Sequence, residues 1–285
     1  MAARYCYRSK TGEQQIKKKY QELLRHWPVE KQEYNLATAL GNTFVIASGN
    51  SDKPALVLLH GACDNSLMWL KQIPSYLQNY RIFAIDIVGE ANLSTNLRPK
   101  TQAKNYVEWL QEVLHQLDIK RVSLVGFSFG AWLGLNFAAR HPDRIDRLAV
   151  LSPSGVVKLR KRLRLKYFFT TLFMGPWGRR WLLRRLLRHN GNSHESELTN
   201  LIVRYFKPRS WKLPRLFKQP MPHLYCPVLL MLGGKDAFYA PEQVLLKLVK
   251  QIPQIELIWR PKEGHFLDDF TREVDRFLIT EFAPD

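Results

Sequence analysis

Ser128 lies at the centre of Gly126-Phe127-Ser128-Phe129-Gly130. The apolar run Val122-Ser123-Leu124-Val125 precedes it, and Ala131-Trp132-Leu133-Gly134-Leu135-Asn136-Phe137-Ala138-Ala139, which reads as a helix, follows. A serine on a strand-to-helix turn this sharp leaves no room for side chains two residues to either side, hence the glycines. The turn lifts the hydroxyl out of the sheet end. It also aims N–H groups of the helix start at an oxyanion forming beside it. Nucleophilic attack on a carbonyl is the chemistry this arrangement suits. The plainer reading, a small-residue turn with a solvated serine, does not account for the strand–turn–helix context.

A serine hydroxyl is a weak nucleophile without a base. The apolar run Val228-Leu229-Leu230-Met231-Leu232 ends in Gly233-Gly234-Lys235-Asp236, which puts Asp236 just past the carboxyl end of a buried strand. A second run, Ile255-Glu256-Leu257-Ile258-Trp259, leads into Glu263-Gly264-His265-Phe266. In this reading His265 takes the proton from Ser128, and Asp236 fixes the imidazole tautomer and steadies its charge. Alone, Asp236 would be a turn residue and His265 a surface-loop histidine; their order and placement after successive strands argue otherwise. A third strand-type run, Pro54-Ala55-Leu56-Val57-Leu58-Leu59, runs into His60-Gly61-Ala62-Cys63. The backbone N–H groups of Ala62 and Phe129 are the expected oxyanion donors, with His60 bracing the loop. No extended glycine run follows this strand, which disfavours very bulky esters.

The elements that must position these groups follow in order. A polar helical arm near 13–26 precedes strand patterns near 35–40 and 42–48. Strand 55–59, helix 66–79, strand 81–87, helix 103–117, strand 121–126, helix 129–140 and strand 145–151 come next. After an insertion come strand 227–232, helix 241–251, strand 255–259 and helix 266–282. This alternation predicts a mostly parallel sheet with helices on both faces.

With these residues in place, the chain resembles the α/β-hydrolase-fold serine carboxylesterases, in particular those of bacilli that act on naproxen-type esters. The resemblance is carried by Trp27-Pro28, Phe44-Val45-Ile46-Ala47-Ser48-Gly49, Leu56 to Ala62, Asp86-Ile87-Val88-Gly89-Glu90 with Asn92 and Ser94, the Ser128 turn, Leu151-Ser152-Pro153 and Gly264-His265. It fades over roughly 156–222. It implies an α/β-hydrolase core from 1–155 and 223–285, with 156–222 as an inserted helical cap. It also implies nucleophile, acid and base at Ser128, Asp236 and His265. Some relatives carry Glu at the acid position. Asp86 and Glu90 are expected to brace loops. A carboxylic ester is the expected substrate, hydrolysed through an acyl-enzyme without cofactor or metal. C–C bond hydrolysis, lactone opening and perhydrolysis use the same three residues and stay open. So does a non-catalytic hydrolase-fold receptor or membrane scaffold. Epoxide hydrolysis and dehalogenation are disfavoured, because they need Asp where Ser128 stands.

At 285 residues the chain can bury one large core. Its three scattered cysteines suggest no disulfide framework, and its first residues lack a signal-peptide pattern, so a cytoplasmic setting is expected. Val122 to Ala139 is uncharged and long enough to score as a membrane span, but its glycines and the serine turn favour a buried strand–helix.

The formal net charge is +18, and Val156 to Asn190 holds eleven Lys/Arg and no Asp/Glu. Within Arg179 to Arg188, Leu182, Leu183, Leu186 and Leu187 share one helical face; Arg180, Arg184, Arg185 and Arg188 share the other. Arg179 and Trp181 break the division. The stretch Lys158 to Lys166 is basic but shows no clean stripe. Three roles remain open: a solvated outer face, peripheral contact with an anionic membrane, and steering of an anionic substrate. Nucleic acid is not an expected partner.

Overall fold

Eight strands form the central sheet: six pair in parallel, and two more extend one edge through antiparallel pairing, so that a single strand runs against the other seven. The structure is a computed structural model and describes residues 4–99, 102–186, 193–209 and 224–280. In chain order its elements are β1 (Arg4–Tyr5), α1 (Lys10–Leu24), β2 (Gln32–Thr38), β3 (Gly41–Ser48), β4 (Ala55–Leu59), α2 (Ile73–Tyr76), β5 (Arg81–Ile85) and β6 (Leu97–Arg98). They continue with α3 (Ala103–Gln116), β7 (Val122–Phe127), α4 (Phe129–Ala138), β8 (Ile145–Leu151), α5 (Lys161–Leu186) and α6 (Ser193–Tyr205). Last come β9 (Val228–Gly233), α7 (Pro241–Val249), β10 (Ile255–Arg260) and α8 (Thr271–Ile279).

The sheet order is β10-β9-β8-β7-β4-β5-β3-β2, with β1 and β6 pairing separately. Strands buried on both faces need apolar side chains in every register, and Leu56-Val57-Leu58-Leu59 and Val228-Leu229-Leu230-Met231-Leu232 supply them. Alternate residues feed two cores. Val57, Leu59, Phe83 and Ile85 pack with α3 and α4 on one face; Leu56, Leu58, Ile82 and Ala84 pack with α1 and α8 on the other. The expected α/β-hydrolase architecture, mostly parallel with helices on both faces, is therefore present.

Two expected helices differ. Instead of one helix over 66–79 there is a 3₁₀ turn at Ser66–Trp69 and the single-turn α2. Asp86 Oδ1 takes both the backbone N–H and the hydroxyl of Ser66, and Pro74 has no N–H to donate, so the segment breaks into two turns. The last helix begins at Thr271 rather than 266, because Asp269 captures the Thr271 amide and hydroxyl and closes a turn there. The run from Val122 to Ala139 is β7 followed by α4, at the centre of the sheet. Among the described residues no helix is long and apolar enough to cross a membrane.

Between β8 and β9 lie α5 and α6. A sharp break divides α5 at Gly175, where φ is 53° and ψ is −138°. The last helix ends at Ile279, short of the expected 282, with Thr280 extended. Leu187, Arg188 and residues 210–222 of the expected insertion lie outside the described residues.

Candidate active site

Backbone geometry at Ser128 is set by what surrounds it. With φ 50° and ψ −100° the residue leaves the regions that L-residues favour, at a cost of about 1–3 kcal/mol. The turn is held by Ser128 N–H donating to Leu151 O (2.9 Å), and by the Ser154 amide and hydroxyl donating to Ser128 O (each 3.1 Å). A Cβ on Gly130 would fall 2.0 Å from Leu59 O, and one on Gly126 would fall 2.7 Å from Ala131 N. Those neighbours are backbone and cannot swing aside, so both flanks must be glycine.

Asp236 and His265 meet because the loops after β9 and β10 are stitched together. Gly234 N–H donates to Arg260 O and Lys235 N–H to Glu263 O, both at 2.8 Å. Asp236 Oδ1 accepts the amides of Phe238 (2.6 Å) and Tyr239 (3.1 Å), which leaves Oδ2 for His265 Nδ1 at 2.8 Å. His265 Nε2 lies 2.9 Å from Ser128 Oγ. A carboxylate only accepts, so Nδ1 carries the imidazole proton and Nε2 accepts from the serine hydroxyl. Asp236 and His265 are both buried, and the rings of Phe238, Phe127, Phe266 and Tyr239 surround the imidazole with centroids 4.6–5.8 Å away. The structure thus brings together the three side chains singled out in the sequence, across 137 residues of chain.

Of the two expected oxyanion donors, Phe129 follows the serine in the chain, and Ala62 follows Gly61, where an added Cβ would lie 3.7 Å from Ser128 Cβ. Phe129 is the first residue of α4, and an α-helix leaves its first amides without intrahelical acceptors. Ala62 follows β4, next to Cys63 at φ 61°. Buried His60 shapes that loop: Nδ1 donates to Gly61 O (2.8 Å), while Nε2 accepts the Ile87 amide (2.9 Å).

Asp86 and Glu90 touch none of the three. Asp86 accepts from Tyr20 Oη, Ser66 and the Leu93 amide, and burial pushes its carboxyl up. Glu90 accepts the Cys63 amide at 2.8 Å and pairs with the buried Arg209, whose Nε lies 2.7 Å from Oε1. Burial pushes the Glu90 carboxyl up, but the Arg209 and Arg98 charges outweigh it and hold it below the ordinary range. Arg209 also donates to Tyr106 Oη (2.9 Å), and its guanidinium lies 3.9 Å from the Phe129 ring centroid. Sequence reasoning missed Arg209. It links the segment between β8 and β9 to Phe129 directly and, through Glu90, to the Cys63 amide beside Ala62.

A cleft of about 210 Å³ borders the site. Phe127, Phe266 and Cys63 line it, each a chain neighbour of Ser128, His265 or Ala62, together with Leu198 and Ile202 of α6.

Residues 54–170 match the family model described as "alpha/beta hydrolase fold". The chain is 30% identical over 270 residues to an uncharacterized carboxylesterase, nap, of Bacillus subtilis (strain 168), covering 87% of this chain and 85% of that protein. The crystal structure of carboxylesterase CesB (YbfK) from Bacillus subtilis superposes with a TM-score of 0.82 at 25% identity, over 94% of this chain and 99% of that one. Naproxen esterase (carboxylesterase NP) from Bacillus subtilis gives 0.71 at 28% identity, over 87% and 90%. Fold and relatives together support ester hydrolysis, and the chain belongs to the α/β-hydrolase-fold carboxylesterases.

Proposed function

We propose that Ser128, His265 and Asp236 hydrolyse carboxylic esters through an acyl-enzyme. The observation that carries this reading is the His265 imidazole bonded on both sides, to Asp236 Oδ2 at 2.8 Å and to Ser128 Oγ at 2.9 Å. Ser128 Oγ attacks the ester carbonyl while its proton passes to His265 Nε2. The imidazolium faces the Asp236 carboxylate, which stabilises it and keeps Nδ1 protonated throughout. The amides of Ala62 and Phe129 receive the carbonyl oxygen as it becomes negative; such a donor is worth about 3–4 kcal/mol in the transition state. His265 returns the proton to the leaving alcohol. Water, deprotonated by the same nitrogen, then attacks the acyl carbon and releases the acid and Ser128.

Substrate shape follows from the cleft. Phe127, Phe266, Leu198 and Ile202 on one wall suit an apolar acyl or alcohol group of modest size, with Asp64, Lys71, Asp268 and Asp269 also lining the cleft, and α6 contributes to that wall as part of a cap. Some members of the fold keep the three residues for other reactions, so the test is turnover itself. A short p-nitrophenyl ester should be hydrolysed through many cycles by the wild type and not by Ser128→Ala. Sustained hydrolysis by Ser128→Ala would overturn the reading, and a single slow turnover by the wild type would point to a receptor.

A further inference from the structure

From the outward face of α5, we infer that the chain docks peripherally on anionic lipid through an apolar helix tip. The face is not the Arg179–Arg188 stretch that its periodicity singles out. There Leu182 is buried against the core, where it cannot meet a partner. The preceding arm, 161–174, turns inward with Leu163 and Tyr167. Its outward side carries Leu165, Phe168, Phe169, Leu172 and Phe173, spaced i, i+3, i+4, i+7, i+8. Trp177 follows the break at Gly175. All six are exposed, with Leu172 at 62%, Phe173 at 77% and Trp177 at 76%. Eight of the fourteen exposed large apolar side chains among the described residues fall between 165 and 181. Such a concentration on one helix face marks an interaction surface.

Charge identifies the occupant. Lys161, Arg162 and Lys166, all exposed, border the apolar stripe, and no acidic residue occurs from 156 to 190. A second copy would bring the same positive charge against itself, on a chain already at +18. A bilayer with anionic headgroups meets both features: acyl chains take the Phe, Leu and Trp side chains, and headgroups take the cations. The tip is also tied to the active site. Arg160 N–H donates to Phe238 O (2.8 Å) and Arg160 Nε to Tyr239 O (3.1 Å), on the loop that packs against His265.

The test is co-sedimentation of the full chain with vesicles of phosphatidylcholine alone or mixed equally with phosphatidylglycerol. The wild type should pellet with the mixed vesicles at low salt and less as salt rises. Leu172→Gln/Phe173→Gln/Trp177→Gln should bind at least about tenfold more weakly. Lys161→Gln, Arg162→Gln and Lys166→Gln should each cost roughly fivefold. Thermal unfolding followed by circular dichroism checks that the variants fold, and the charge series stands if the apolar variant does not. No pelleting of the wild type with anionic vesicles overturns the inference, as does equal binding by folded apolar and charge variants. Concentration-dependent dimerisation that the apolar variant abolishes, without lipid binding, would assign the face to a second copy instead.

Discussion

Arg209→Met should weaken the fold and slow ester turnover together. Glu90 is fully buried and its side chain has two jobs: Oε1 meets the guanidinium and Oε2 holds the Cys63 amide. Removing Arg209 leaves that carboxylate in the interior without its ion-pair partner, with only the Arg98 charge nearby, which costs up to about 3–5 kcal/mol. At roughly 2–4 °C per kcal/mol for a chain of this order, the unfolding temperature should fall by about 10 °C. The same change frees the Phe129 ring from the guanidinium 3.9 Å away and loosens the Cys63 loop, so the proposed oxyanion donors Phe129 and Ala62 should lose their brace. Displacements on the scale of 1 Å cost up to about a hundredfold in rate, and kcat should fall by about ten- to a hundredfold with KM less affected. Glu90→Gln/Arg209→Met removes both charges and should be milder than the two single changes summed, by about 0.5–3 kcal/mol. Thermal unfolding and steady-state hydrolysis of a p-nitrophenyl ester on all four proteins measure this. A single Arg209→Met within 1 kcal/mol of the wild type (about 1 kcal/mol is the scale of an exposed pair) and with unchanged kcat would refute the reasoning.

Ser128→Ala and His265→Ala should each lower kcat by about 10⁴-fold or more, and the double variant should be little worse than either, as steady-state kinetics will show. Asp236→Asn should lower kcat strongly with the fold intact, because the amide presents a donor to Nδ1 and favours the wrong tautomer; Asp236→Glu should retain more, and Glu90→Gln should not mimic the Asn effect. Gly130→Ala should destabilise the fold by about 1–3 kcal/mol or more, read by thermal unfolding, since its methyl would meet Leu59 O. The folded Glu90 carboxyl is held below its ordinary value of 4.5, so its stabilisation is complete above that pH and is lost as pH falls through the folded value. Wild-type stability should therefore drop more steeply with acid than that of Glu90→Gln.

Ser128, Asp236 and His265 were legible because each carries a local signal. Each follows a strand rich in apolar residues, and the glycines around Ser128 report a turn that backbone contacts leave no room to fill. Arg209 carries no such signal: its partner Glu90 lies 119 residues away, and nothing near it in the chain marks it as buried. The outward face of α5 was hidden for a different reason. Periodicity reports that apolar residues share a face but not which way the face points, and Leu165, Phe168, Phe169, Leu172 and Phe173 point away from the core. The helix expected over 66–79 failed because Asp86, in another loop, competes for the Ser66 amide and hydroxyl.

The central claim is that one serine carries the acyl group. Titration with a fluorophosphonate, followed by peptide mass spectrometry, tests it most directly. The account predicts one equivalent incorporated per chain, on Ser128, with ester turnover falling in proportion to labelling and no labelling of His265→Ala on the same timescale. Modification at another residue that abolishes turnover, or full labelling of Ser128 with turnover intact, would contradict it.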